Sequence, residues 1–145
     1  MDRDAHHDIR PHRLVPIVVG ADLDAERLDR PIAVRLAQAM AAPAAVLDLE
    51  PIVVVDLWYL NQPAARVRPT IAIGPPERNA ATAFFATRLP TAMVVEGHYR
   101  IHLDPEGIEP HACAWGVTPE ANAEAAETLA RRFLTQLLEA AAAIA

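Results

Sequence analysis

Apolar residues along this chain fall into two patterns. Short, almost uninterrupted apolar runs cover Leu14–Val19, residues 52–55, Thr70–Ile73 and residues 112–115. Continuous apolar character over four to six residues suits strands buried on both faces of a parallel sheet. Between the runs the spacing lengthens to that of a helix. Ile32, Leu36 and Met40 form one stripe, Ala81, Phe84, Phe85 and Leu89 a second, and Ala126, Leu129, Phe133 and Leu137 a third. Residues 92–95, an apolar run, and residues 99–103, where apolar and polar residues alternate, are two more short strands around Glu96-Gly97-His98, the pattern of a hairpin.

The boundaries carry their own chemistry. Asp29 followed by Pro31 predicts a helix start, and Pro43 predicts its end. Pro90 closes the second helix. Thr118-Pro119-Glu120 predicts the third, with Thr118 as N-cap, Pro119 in the first turn and Glu120 against the positive end of the dipole. Glu127 and Arg131 add an i,i+4 pair worth roughly 0.2–0.5 kcal/mol. Residues 62–69 form a connection with room for one helical turn, and Asp104-Pro-Glu-Gly107 a turn. Strands alternating with helices predict an α/β fold: one three-layer domain with a mainly parallel, doubly wound sheet of about five or six strands, right-handed crossovers and an edge hairpin. In outline this resembles the flavodoxin-like and Rossmann-like folds. That resemblance is one of architecture and transfers no residue roles.

Composition narrows the class. A chain of 145 residues with 52% hydrophobic and 22% charged residues is globular and long enough for one core. Residues 1–13, with His6, His7 and His12 among charges, read as a flexible arm, and 14–145 as the α/β domain. A net charge of −6 with scattered basic residues argues against nucleic acid as a partner. All 13 basic residues are Arg, which fits the coding bias of a GC-rich, bacterial-type genome. One cysteine, a charged amino terminus and no apolar run near the roughly 20 residues of a membrane span predict a cytoplasmic protein with no membrane partner.

Three of the five glycines, Gly20, Gly74 and Gly116, end apolar runs and open onto helices. In an open α/β sheet such strand–loop–helix turns gather at the carboxyl edge, where ligands bind. The expected ligand-binding residues are therefore Asp56, Tyr59, Asn61, Gly74, Glu77, Arg78, Asn79, Gly116 and Thr118. Asn61 and Asn79 would supply hydrogen bonds, Arg78 a charge and Tyr59 a stacking face. A phosphate cradle is disfavoured, because Pro75 and Pro76 remove two N–H donors and Glu77 and Glu120 place carboxylates there. The chain has neither the dinucleotide-binding nor the P-loop glycine pattern.

The first expectation is a module binding a small polar ligand or a protein partner through these loops, with no cofactor. The alternative is a Mg²⁺-dependent hydrolase or transferase using a carboxylate rim, with Asp22, Asp56 and Glu77 as the metal ligands. A third is a subunit that assembles, for instance as a homodimer. His111, Cys113 and Trp115 alternate on one strand face, where Cys113 reads as core rather than nucleophile. His98, Arg100 and His102 read as the solvated side of an edge strand. Trp58 and Tyr59 fit packing beneath the 62–69 connection better than they fit a pocket wall. No serine occurs, which excludes a serine triad.

Overall fold

The structure, a computed structural model, describes residues 10–144. His6 and His7 lie outside the described residues. A 3₁₀ turn at Pro11–Arg13 leads into β1 (Leu14–Val19), and Arg10 is tied by both terminal nitrogens to Asp48. The chain continues through α1 (Arg30–Val46), β2 (Glu50–Val55), α2 (Asp56–Leu60), α3 (Pro63–Arg66), β3 (Thr70–Ile73) and α4 (Ala80–Arg88). The hairpin β4 (Thr91–Val95) and β5 (Tyr99–Leu103) follows, then β6 (His111–Gly116) and α5 (Pro119–Ala143). The six strands form one sheet in the order β2-β1-β3-β6-β5-β4. The first four positions are parallel, and β5 and β4 run antiparallel at one edge. This is the expected three-layer α/β fold with its edge hairpin.

Period-two alternation assigns each strand residue to a layer. Ile17, Ile71, Ile73, Ile101, Ala112 and Ala114 face α1 and α5, where they meet Leu36, Met40, Leu129 and Leu137. Val18, Ala72 and Cys113 face the opposite way, against Tyr59, Ala65, Phe85 and Leu89 of α2, α3 and α4. His102 also faces this second layer, and here the expectation of a solvated edge fails. Its ring is buried, stacked on Trp115 at 5.4 Å and 6°, with Nδ1 3.2 Å from the Leu89 carbonyl. Leu89 and Trp115 cover this face of β5, and β5 is flanked by β6 and β4, so it is not an edge; β4 is.

Two helix boundaries also differ from expectation. Asp29 is not an N-cap, because the helix begins earlier and Ala25–Asp29 is a π-helical turn running straight into α1. Pro31 accounts for this: it has no N–H, and its ring would strike the carbonyl four residues back in a regular helix. Widening the turn before it, with the Arg30 N–H reaching the Ala25 carbonyl, relieves that clash. Pro43 lies inside α1 rather than ending it, and the chain leaves the helix at Asp48 with φ of 59°.

The β1–β3 pairing is short, matching only Ile17 with Ile71 and Val18 with Ala72. Pro16 has no N–H to give the ladder. The Arg68 side chain fills the gap, donating from Nε to the Leu14 carbonyl at 2.9 Å.

Candidate functional site

The carboxyl edge of the sheet is held closed by a polar knot. Asp29 is fully buried, and its carboxylate accepts from Arg78 Nε at 2.7 Å and Arg78 Nη2 at 2.8 Å. Asn122 Nδ2 donates to the same carboxylate at 2.7 Å, and Asn122 Oδ1 accepts from the Gly116 N–H at 3.0 Å. The charge pair and Asn122 thus join the π-helical turn before α1, the β3–α4 loop, β6 and α5. The bond to Asp29 raises the already high pKa of Arg78.

The three glycines make this closure sterically possible. A Cβ on Gly20 would fall 1.7 Å from the Arg78 carbonyl oxygen, and one on Gly116 2.3 Å from the Ala121 backbone. Gly74 has φ of +116°, and its Cβ would lie 2.7 Å from Asp29 Oδ2. These glycines therefore serve close packing of the chain on itself rather than approach of a phosphate.

The other expected rim residues are similarly engaged. Asp56 accepts from its neighbour Leu57 N–H at 2.7 Å and, with its second oxygen, from the Ala80 N–H at 2.8 Å. Asn79 caps α4, accepting from the Ala81 and Thr82 N–H groups and donating to the Val18 and Ile73 carbonyls. Thr118 caps α5 through the Ala121 N–H, as its sequence position predicts. Asn61 donates to the Leu57 carbonyl at the surface, and Glu77 is exposed. Asp22 accepts from the Ala25 N–H at 2.8 Å, capping the helix start. The expected metal ligands Asp22, Asp56 and Glu77 are not brought together. Among the described residues no group of three or more His, Cys, Asp or Glu side chains could hold a metal ion.

Tyr59 is buried and leads to a different place. Its hydroxyl donates to Thr70 Oγ1 at 2.9 Å, which in turn donates to the Arg68 carbonyl at 2.7 Å. Its ring forms part of the floor of a cavity of about 300 Å³ at the opposite, amino-terminal edge of the sheet, between α2–α3 and α4. Leu60, Pro63, Val67, Phe84 and Phe85 supply the rest of the apolar wall, and Arg66, Arg88, Glu109 and His111 the polar rim. This size lies at the lower end of the range for small-molecule sites. Trp58, one residue away, is half exposed outside it.

The cavity's electrostatics are set by how its four polar residues pair. Arg88 and Arg66 both lie over the Phe84 ring, at 5.1 and 5.9 Å from its centroid. Arg88 is neutralised by Glu109 at 2.9 Å. Arg66 has no carboxylate partner among the described residues. His111 stacks on Phe85 at 4.8 Å and 10° and places Nε2 3.0 Å from the Arg66 carbonyl. A carbonyl only accepts, so Nε2 carries the proton, while Nδ1 faces Glu109 Oε2 at 3.5 Å. Burial holds the His111 pKa below its usual 6.5, so the ring is neutral at pH 7.

Neither Tyr59 nor Cys113 carries a readily ionised nucleophile. Burial raises the Tyr59 pKa above 10 and pushes the Cys113 thiol up to about 12, with the sulfur enclosed in the core. Comparison of the chain with protein-family models, curated proteins and solved structures finds no match. No helix among the described residues is long and apolar enough to cross a membrane.

Proposed function

We propose that this protein is a binding module for a small organic anion with a flat apolar body, held in the amino-edge cavity. The observation that carries the reading is Arg66. Its unpaired guanidinium borders a cavity of about 300 Å³ whose wall is otherwise apolar and aromatic. An aromatic carboxylate satisfies both features, with its ring against Phe84, Leu60 and Val67 and its carboxylate on the guanidinium. The 56–61 segment takes part through Tyr59 and Leu60, but from the end of α2 furthest from the carboxyl rim.

Calorimetric titration with benzoate and 3-phenylpropionate, each against its neutral amide, tests this. The acids should bind about tenfold more tightly than the amides, the scale of one exposed charge-assisted hydrogen bond of about 1.5 kcal/mol. Arg66→Gln should remove that preference, while Phe84→Ala should weaken acid and amide alike. No binding by any aromatic acid, or an undiminished acid preference in Arg66→Gln, refutes the reading.

A further inference from the structure

The amino-terminal end of β1 and β3 carries a second group of cations, and their charges do not balance. Arg10 and Arg13 meet there over Asp48, and the charge of Arg13 acts on Arg68, in a chain whose net charge is −6. The acid that the ion pairs of this group share is Asp48. Arg10 occupies both oxygens of Asp48, at 2.9 and 3.3 Å, and leaves Arg13 Nε at 3.5 Å, too long for a good hydrogen bond. Arg13 Nε is shielded from solvent and has no hydrogen-bond partner among the described residues.

Arg68 is the more demanding case. It is only 5% exposed, and Nε has the Leu14 carbonyl as its partner. Its Nη2 is shielded and has no hydrogen-bond partner, and no carboxylate among the described residues lies within ion-pairing distance of the guanidinium. The turn that holds Arg13 packs on α3, the helix that leads directly into Arg68. Desolvation, and then the charge of Arg13, lower the Arg68 pKa from its usual value.

Plugging the gap left by Pro16 needs a single donor on Leu14, which a neutral side chain could supply. A full positive charge is therefore surplus to that task, and buried charges in proteins are otherwise paired. We propose that Arg68 and Arg13 together hold a small oxyanion of the phosphate class at the amino-terminal edge of β1 and β3. The guanidinium fork matches two oxygens of such an ion, and Arg68 Nη2 and Arg13 Nε have no hydrogen-bond partner among the described residues. This site is independent of the cavity proposed above: Arg66 and Arg68 flank Val67, and only Arg66 borders the cavity.

The test is thermal unfolding in inorganic phosphate against sodium chloride at constant ionic strength. Phosphate also stabilises proteins generally through exclusion from their surface, so the informative quantity is the part that depends on the arginines. The wild-type protein should gain about 5 °C in Tm at saturating phosphate beyond that general rise. Arg68→Gln should abolish the gain. Arg13→Gln, which leaves the Arg68–Leu14 bond in place, should at least halve it and guards against a folding defect in the first variant. Arg66→Gln should leave it unchanged, so failure here is separable from failure of the aromatic-acid reading. Equal gains in the wild type, Arg13→Gln and Arg68→Gln, or no gain over chloride, overturn the proposal.

Discussion

Removing the Asp29 carboxylate should be among the most damaging single changes available in this fold. Asp29→Ala deletes three hydrogen bonds of 2.7–2.8 Å at once, two from Arg78 and one from Asn122. The consequences for the two donors differ. The Arg78 side chain is 23% exposed and can recover some hydration, but Asn122 is 1% exposed and cannot. Breaking a buried ion pair by removing one partner costs about 3–5 kcal/mol, and a stranded buried amide about 1–3 kcal/mol. With Arg78 partly rehydrated, the expected total is about 4 kcal/mol. Arg78→Ala should cost a similar or larger amount, since it leaves the Asp29 charge fully buried with one donor. The double variant should then fall short of the summed losses by at least about 1.5 kcal/mol, because each single change already abolishes the pair. Urea unfolding with a shared m-value measures all three. A loss below about 1 kcal/mol in Asp29→Ala, or strict additivity in the double variant, would refute the claim that the knot holds the carboxyl edge together.

Two further outcomes follow from the same structure. Gly74→Ala must place a methyl group 2.7 Å from Asp29 Oδ2 at φ of +116°, whereas Gly97→Ala, at φ of +70°, meets nothing within 4 Å. Urea unfolding should give about 3 kcal/mol or more for the first and about 1 kcal/mol for the second; equal costs would show that backbone strain alone decides. Burial depresses the His111 pKa, so its contribution to stability is intact above pH 6.5 and falls below it, as the unfolded chain gains a proton the native ring does not. Stability of the wild type should therefore decline between pH 6.5 and 5 more steeply than that of His111→Phe, by no more than about 1.4 kcal/mol per pH unit, and parallel curves would reject the assignment.

The strands were legible because burial on both faces leaves little choice of residue. Thr70–Ile73 and Leu14–Val19 are bounded in the structure where their apolar runs end. The hairpin was legible from its turn instead, with Gly97 at φ of 70° between two short strands, although β4 is mostly exposed. Helix ends were less so, because a cap depends on what the side chain meets. Thr118 and Asn79 each find free N–H groups ahead of them, whereas Asp29, with equally good local credentials, is drawn sideways by Arg78, 49 residues away. Asn122 was missed altogether. Its signal was present as an asparagine, a weak helix former, within the alanine-rich start of α5, but only the topology reveals what it faces.

The location of the cavity follows from helix length. On one face, α1 with 17 residues and α5 with 25 extend about 25 and 37 Å, longer than any strand they cover. On the other, α2, α3 and α4 have 5, 4 and 9 residues, so the longest spans only about 13 Å. Asp56 and Asn79 anchor α2 and α4 together at the carboxyl edge, so their shortfall appears at the amino edge, where Phe84, Phe85 and His111 border open space. The glycine turns that mark the carboxyl edge as a binding edge in other α/β sheets are here taken up by self-packing around Asp29. Short helices fastened at one end of a sheet expose its other end, and in this protein that places the open, arginine-bordered cavity beneath α4.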